Sequence, residues 1–220
     1  MKYILGLLCT VCSYAAFSQQ LISESITTNG ITLTNMKANH YNVLDGSAYL
    51  SEKFEMGALL VSEKWMPAEI RYNSYTAILE YQKSGQIFEL LPSQVRGFRL
   101  QGQIFKNGFK AIDKQGGATY YQVVYEGEST LLKYIYTELQ EVINADDTKQ
   151  GNKFVTYNKY YLLDNKKEFS GNFVLRKQLL KFLNFAKQPL VEKFIEKEGI
   201  KFKSDEDLMK ILSYYDSIGK

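Results

Sequence analysis

Tyr120-Tyr121-Gln122-Val123-Val124-Tyr125 is the stretch on which the fold turns. Alternation sends Tyr121, Val123 and Tyr125 to one side of a strand and Tyr120, Gln122 and Val124 to the other. Both sides are partly apolar, so both need cover. That favours a sheet curled into a barrel or sandwich over a flat sheet with one wet face. Outward from this stretch, short segments rich in aromatic and β-branched residues recur: Met56 to Ser62, Ala68 to Asn73, Ala77 to Gln82, Gln86 to Leu91, Gly97 to Leu100, Ile104 to Lys106 and Leu131 to Leu139. Their even spacing predicts an antiparallel meander. Ser84-Gly85 suits a tight two-residue turn, Asn107-Gly108 a type I′ hairpin, and Gly127 a positive-φ position between Tyr125 and Leu131.

Toward the C-terminus, the polar stretch Asn144 to Lys153 reads as a long loop, followed by a hairpin of Val155 to Leu163 with Glu168-Phe169 around Asp164-Asn165. From Val174 the apolar period becomes helical, with Leu175, Leu179, Phe182, Leu183 and Ala186 forming a first stripe. Pro189 suits the first turn of a second helix that carries Leu190, Val191, Phe194 and Ile195, and Gly199 followed by Ile200 stops it. Ser204 caps a third helix; Asp205, Glu206 and Asp207 sit in its electropositive first turn, and Leu208, Ile211, Leu212 and Tyr215 face inward. The predicted class is α+β: a rolled or barrel-like antiparallel β-domain over residues 46–170, then a three-helix segment over 171–220 packed on it.

Toward the N-terminus, residues 19–45 form a polar lead-in with one modest alternating run at Ile31 and Leu33. Residues 1–18 have a basic start at Lys2, an apolar run from Ile4 to Val11 and a small-residue exit at Ala16-Phe17-Ser18. This order predicts a secretory signal peptide cut after Ser18. The apolar run is shorter than the ~20 residues that a bilayer-spanning helix needs. Cys9 and Cys12 both fall inside the segment expected to be removed, so the expected mature chain has no thiol for a disulfide or a metal. Neither cysteine follows a small residue, which argues against acylation.

The chain carries 27 basic and 24 acidic side chains. Such a balance points to no nucleic-acid partner. Between Lys166 and Lys203 ten basic residues face four acidic ones, a pattern of a solvated helix face or of attraction to an anionic surface. No nucleophile elbow, zinc helix motif, phosphate loop or dinucleotide fingerprint occurs. His40 is the single histidine and reads as an exposed loop residue without a catalytic role. No catalytic, cofactor-binding or metal residue is assigned. Asp146-Asp147 lacks the spacing of a calcium loop and reads as a solvated loop. Glu69, Glu80 and Glu89 lie on predicted strands and would serve a glycosidase only if two of them shared a cleft. Seventeen tyrosines, thirteen of them from Tyr41 to Tyr161, either fill the core or build a platform for a glycan or peptide.

Gly46-Ser47-Ala48-Tyr49-Leu50, Arg71-Tyr72-Asn73, Pro92-Ser93, Leu131-Leu132-Lys133, Tyr160-Tyr161-Leu162, Leu179-Leu180-Lys181 and the closing Asp207-Leu208 to Tyr214-Tyr215, behind the signal-like start, resemble a group of uncharacterised exported proteins common in Bacteroidota. The resemblance implies a periplasmic or outer-envelope location; the group has no established activity to carry over. The expected function is thus a non-catalytic envelope protein with a binding or assembly role, its partner an envelope protein or a glycan, with no cofactor and no transmembrane segment in the mature chain. The alternatives are a carboxylate-dependent hydrolase acting on glycan and a carrier holding an apolar ligand inside a barrel.

Overall fold

A computed structural model describes residues 25–28, of which only the backbone is considered, and 31–36, 39–109, 112 and 116–218. The signal-peptide segment, its cleavage position and both cysteines lie outside the described residues.

Among the described residues twelve strands form one antiparallel sheet: β1 (Ser25–Thr28), β2 (Ile31–Met36), β3 (Glu55–Val61), β4 (Lys64–Asn73), β5 (Ile78–Lys83), β6 (Gln86–Leu90), β7 (Gly97–Leu100), β8 (Gln103–Lys106), β9 (Tyr121–Glu126), β10 (Thr130–Ile143), β11 (Lys149–Leu163) and β12 (Phe169–Phe173). The spatial order is β1-β2-β6-β5-β4-β3-β7-β8-β9-β10-β11-β12. The meander β3 to β6 turns back to pair β6 with β2, which leaves the other edge of β3 free to receive β7. Among the described residues no ladder joins β1 to β12, so the predicted barrel closure is absent. The C-terminal segment covers the face of β9 to β12 that continues from the first core.

Two main cores lie side by side on one face of the sheet, since the register carries Phe105 to Gln122, Lys133 and Tyr160 on the same side. Ile31, Leu33, Leu59, Ile70, Tyr72, Leu79, Phe88, Leu90, Phe98 and Phe105, drawn from β2 through β8, pack together with Tyr120. Rings dominate this core: Phe98 stacks on Phe105 at 4.5 Å and meets Tyr120 edge-on at 5.2 Å. The second core sets Val124, Leu131, Tyr160, Leu162 and Phe173 of β9 to β12 against Leu179, Val191, Leu208, Ile211 and Leu212 of the C-terminal segment. That segment consists of 3₁₀ turns at Arg176–Phe182 and Phe185–Lys187, then α1 (Gln188–Glu198) and α2 (Asp205–Ser217). The first of the three predicted helices is thus a 3₁₀ turn, which still buries Leu179 completely.

Turn chemistry explains most strand ends. Ser84 and Gly85 take φ of 51° and 76°, as a type I′ hairpin requires. Asn107-Gly108 does not form its predicted hairpin. The β7–β8 turn falls at Gln101-Gly102, and Asn107 instead donates its side-chain amide to the carbonyls of Pro92 and Val95. Gly127 is not at positive φ; it is needed because a Cβ there would collide with the Tyr125 hydroxyl and the Asp216 carboxylate. Asp216, buried near the end of α2, accepts from the Tyr125 hydroxyl at 3.0 Å and from the backbone N–H and hydroxyl of Ser129 at 3.0 and 2.8 Å, latching the helix to the β9–β10 turn. Gly199 ends α1 at φ 63°, and the Ile200 N–H reaches back to the Ile195 carbonyl, as expected.

The alternation expected of Tyr120 to Tyr125 fails at one point. Tyr125 pairs with Leu131 and Val123 with Leu132, so Val124 is a bulge. Tyr121 and Val123 accordingly pack away from the helices, while Val124 and Tyr125 pack against them. The second half of the predicted long loop at Asn144 to Lys153 is strand. β10 and β11 run as a long hairpin whose turn spans only Asn144–Thr148, with Asp147 at φ 62°.

Candidate binding groove beside the long hairpin

The candidate carboxylates lie on one outward side of β4, β5 and β6 without forming a cleft. Glu80 stands directly opposite Arg71 on β4 and opposite Glu89 on β6, and Glu69 is two residues from Arg71. Glu80 is fully buried and bound to the Arg71 Nε at 2.7 Å, with the Tyr49 hydroxyl donating to its other oxygen at 3.3 Å. Arg71 also donates to the Glu52 carbonyl and the Tyr49 hydroxyl, and lies 4.1 and 4.4 Å from the ring centres of Tyr49 and Phe54. Burial, aided by the Glu80 charge, pushes the Tyr49 phenol up to about 12. This lock ties the segment from Tyr49 to Phe54 onto the sheet. A polar cleft of about 280 Å³ lies over it, lined by His40, Glu52 and Arg71 among others, but by none of Glu69, Glu80 and Glu89. His40 is exposed on its rim.

Asp146 is used locally. Its carboxylate accepts from the backbone N–H and hydroxyl of Thr148 in the hairpin turn, interactions that hold it below the usual carboxylate range. Among the described residues no three His, Cys, Asp or Glu side chains gather as a metal site.

The tyrosines divide. Tyr72, Tyr120, Tyr121, Tyr160 and Tyr161 are core residues. Tyr134, Tyr136 and Tyr157 are half-buried on the face of the hairpin turned away from the helices, where Tyr136 stacks with Tyr134 at 5.2 Å and with Tyr157 at 5.5 Å. Gln140 donates to the Tyr157 hydroxyl at 2.6 Å. Cross-strand stacking of this kind stiffens a hairpin, and it turns the rings toward each other instead of offering a flat platform.

A different feature marks this hairpin, at the outer edge of β11. Near the tip the edge is covered by the lead-in: Leu44 donates to the Asn152 carbonyl at 2.8 Å, and Phe154 donates to the Asp45 carbonyl at 2.9 Å. At the base it is covered by β12, from the Tyr160↔Phe173 pair onward. Backbone groups of β11 alternate between its two neighbours, and its register with β10 is unbroken from Lys153 to Leu163. Since Asn152 and Phe154 bond outward, Thr156 and Asn158 also point outward. Among the described residues no strand meets them. The edge therefore has a window between two covered stretches.

A groove of about 530 Å³ runs beside this window. Its β11 wall is Thr156, Tyr157, Asn158 and Tyr160; its far wall is Val174 to Lys177, with Lys201 and Phe202. Val174 and Leu175 are 62% and 55% exposed, high for apolar side chains, because β12 ends at Phe173 and the chain swings into the 3₁₀ turn. Beneath them Asp205, in the first turn of α2, accepts from the Tyr160 hydroxyl at 2.6 Å, Lys133 at 2.8 Å and Arg176 at 3.1 Å. Burial opposes the charged form of Asp205, yet hydrogen bonds from Lys133, Tyr160 and Arg176 outweigh it and hold the carboxyl below its ordinary value. The network fixes Arg176 against α2. The groove lining carries Arg176, Lys177 and Lys201 and no carboxylate.

Part of the predicted basic run between Lys166 and Lys203 thus collects at this groove. The window itself was not among the sequence candidates, because an unpaired edge depends on where distant segments stop. Comparison with protein-family models, with curated proteins and with solved structures finds no match. Among the described residues no helix is long and apolar enough to cross a membrane.

Proposed function

We propose that the protein is an exported, non-catalytic binding or assembly component of the cell envelope, and that its partner docks in the groove beside β11. The observation that carries this reading is the pair of outward, unpaired backbone positions at Thr156 and Asn158, open to an apolar and basic groove. Exposed strand edges are normally blunted or covered because they template pairing with another chain. Among the described residues the edge is covered on both sides of the window and open within it. The signal-like start supports export, as does the resemblance carried by the motifs from Gly46 to Tyr215. A core shared from β2 to β8 supports a rolled shape for part of the β-domain.

The rival readings gain less. A glycan hydrolase needs two reachable carboxylates, whereas Glu80 is sealed beneath Tyr49 and consumed by Arg71. A carrier needs room for its ligand, commonly about 300 Å³ or more. The cavity in the first core, lined by Leu33 of β2, Leu59 of β3 and Met66 of β4, holds about 60 Å³.

A photo-crosslinking side chain placed at Asn158, with a control at Lys83, tests the reading in the cell of origin. A defined covalent adduct from position 158 and none from 83 is expected. Equal labelling from both, or none from either, overturns the docking site. Intact mass of the envelope form should show loss of residues 1–18; recovery of a chain starting at Met1 overturns export.

A further inference from the structure

We infer that the occupant of the window is a short, extended, acidic segment of polypeptide that adds to β11 by backbone hydrogen bonding. The inference rests on the groove being a binding site, and goes on to name the chemistry of what binds.

Three observations converge on it. Thr156 and Asn158 present two N–H donors and two carbonyl acceptors along one edge, the array that an added strand satisfies and that a sugar or a lipid chain does not. The window is bounded by Phe154, already bonded to Asp45, and by Tyr160, already paired with Phe173, so only two outward positions are open. An added segment therefore pairs over a few residues and must leave the sheet plane at both ends, which suits a short extended motif and not a long strand or a second copy of a sheet edge.

Charge then selects the sequence. Lys177 and Lys201 stand exposed in the groove wall, Arg176 is held there by Asp205, and no carboxylate lines the groove to neutralise them. An acidic side chain alternating with an apolar one matches the lining. The apolar residue meets Val174, Leu175 and Phe202, and the carboxylate meets the lysines. Asp205 cannot repel such a segment effectively, because Lys133, Arg176 and Tyr160 already saturate its oxygens.

The test uses the purified protein with three synthetic octapeptides: alternating Ile-Glu, alternating Ile-Lys, and Ile-Glu with N-methylated alternate amides. Binding is read by fluorescence anisotropy, and backbone engagement by hydrogen exchange at the Thr156 and Asn158 amides. The Ile-Glu peptide should bind and protect both amides, binding at least about tenfold more tightly than Ile-Lys. N-methylation should abolish the protection. Lys177→Glu with Lys201→Glu should weaken Ile-Glu at least about tenfold. Asn158→Pro, which removes an outward N–H without touching the β10 ladder, should weaken it while the melting temperature stays close to that of the parent protein. If Ile-Lys protects the two amides as well as or better than Ile-Glu, the docking site stands and the acidic partner is wrong. If no peptide protects them, strand addition is wrong, and crosslinking from position 158 alone decides whether another kind of partner docks in the groove. If N-methylated Ile-Glu binds and protects as tightly as the parent peptide, the contact is not backbone pairing.

Discussion

The two halves of the β10–β11 hairpin are built on one continuous register and behave as different materials. In the basal half, Leu131, Leu132, Tyr160, Tyr161, Leu162 and Leu163 are all 3% exposed or less, with helices on one face and the Phe109–Ile112–Tyr121 cluster on the other. In the outer half, Leu139 and Ile143 are 40% and 50% exposed, and the strands are held by ladder bonds, the tyrosine stack and the lead-in along one edge. The window lies where one regime gives way to the other. Rigidity comes from the base, and access from the lack of a covering layer. A docking edge placed in this way is preorganised without being sealed.

Removing residues 174–220 should break the comparison most severely, because it strips cover from Leu131, Tyr160, Leu162 and Phe173 at once. At about 1.5 to 3 kcal/mol for each large side chain returned to water, the loss exceeds a typical domain's net stability. The fragment should aggregate or bind hydrophobic dye. A monomeric fragment as heat-stable as the full chain would show that the helices are a separable unit.

Paired leucine substitutions sharpen the contrast within the hairpin. Leu131→Ala, at a fully buried position, should cost about 2 to 5 kcal/mol in denaturant unfolding. Leu139→Ala, only eight positions further along the same strand, should change stability by less than about 0.5 kcal/mol. Similar losses at both sites would mean that the outer half is covered after all.

The Asp205 network joins β10, β11 and α2 on the basal side, and it should be felt through pH. Asp205→Asn should cost about 2 to 3 kcal/mol at neutral pH, less than for a fully sealed pair because the carboxylate keeps 17% exposure. Its folded-state pKa is depressed, so its contribution is fully present above the ordinary aspartate value and is lost as pH falls through the folded value. The gap between parent and variant should therefore close below about pH 4. A gap of constant size down to pH 2 would contradict the ion-pair assignment.

How far the sequence carries the reader varies by element for physical reasons. β7 at Gly97–Leu100, the end of α1 at Gly199 and the inner face of α2 are legible because turn, cap and periodicity signals are local. The first 3₁₀ turn is not, since over seven residues a stripe at Leu175, Leu179 and Phe182 fits either helical period. The start of β11, Lys149 to Lys153, reads as loop because its polar residues carry no apolar alternation. The Val124 bulge is invisible until β10 supplies the partner that it mismatches. Glu80 was legible as a charged strand residue, but its burial comes from Tyr49, thirty-one positions earlier. The groove is the extreme case: it arises where Asp45 and Phe173 stop covering β11, and no residue type announces an absent neighbour.

Residue-resolved amide exchange of the free protein along β11 tests the open window most directly. Tyr157 and Lys159 point toward β10 in the ladder, opposite Tyr136 and Tyr134, while Thr156 and Asn158 point outward between them. The Thr156 and Asn158 amides should exchange about 100-fold or more faster than those of Tyr157 and Lys159, with Phe154 protected by its bond to Asp45. Equal protection across all four positions from Thr156 to Lys159 would mean that the edge is already covered in the free chain, and the docking site would not exist.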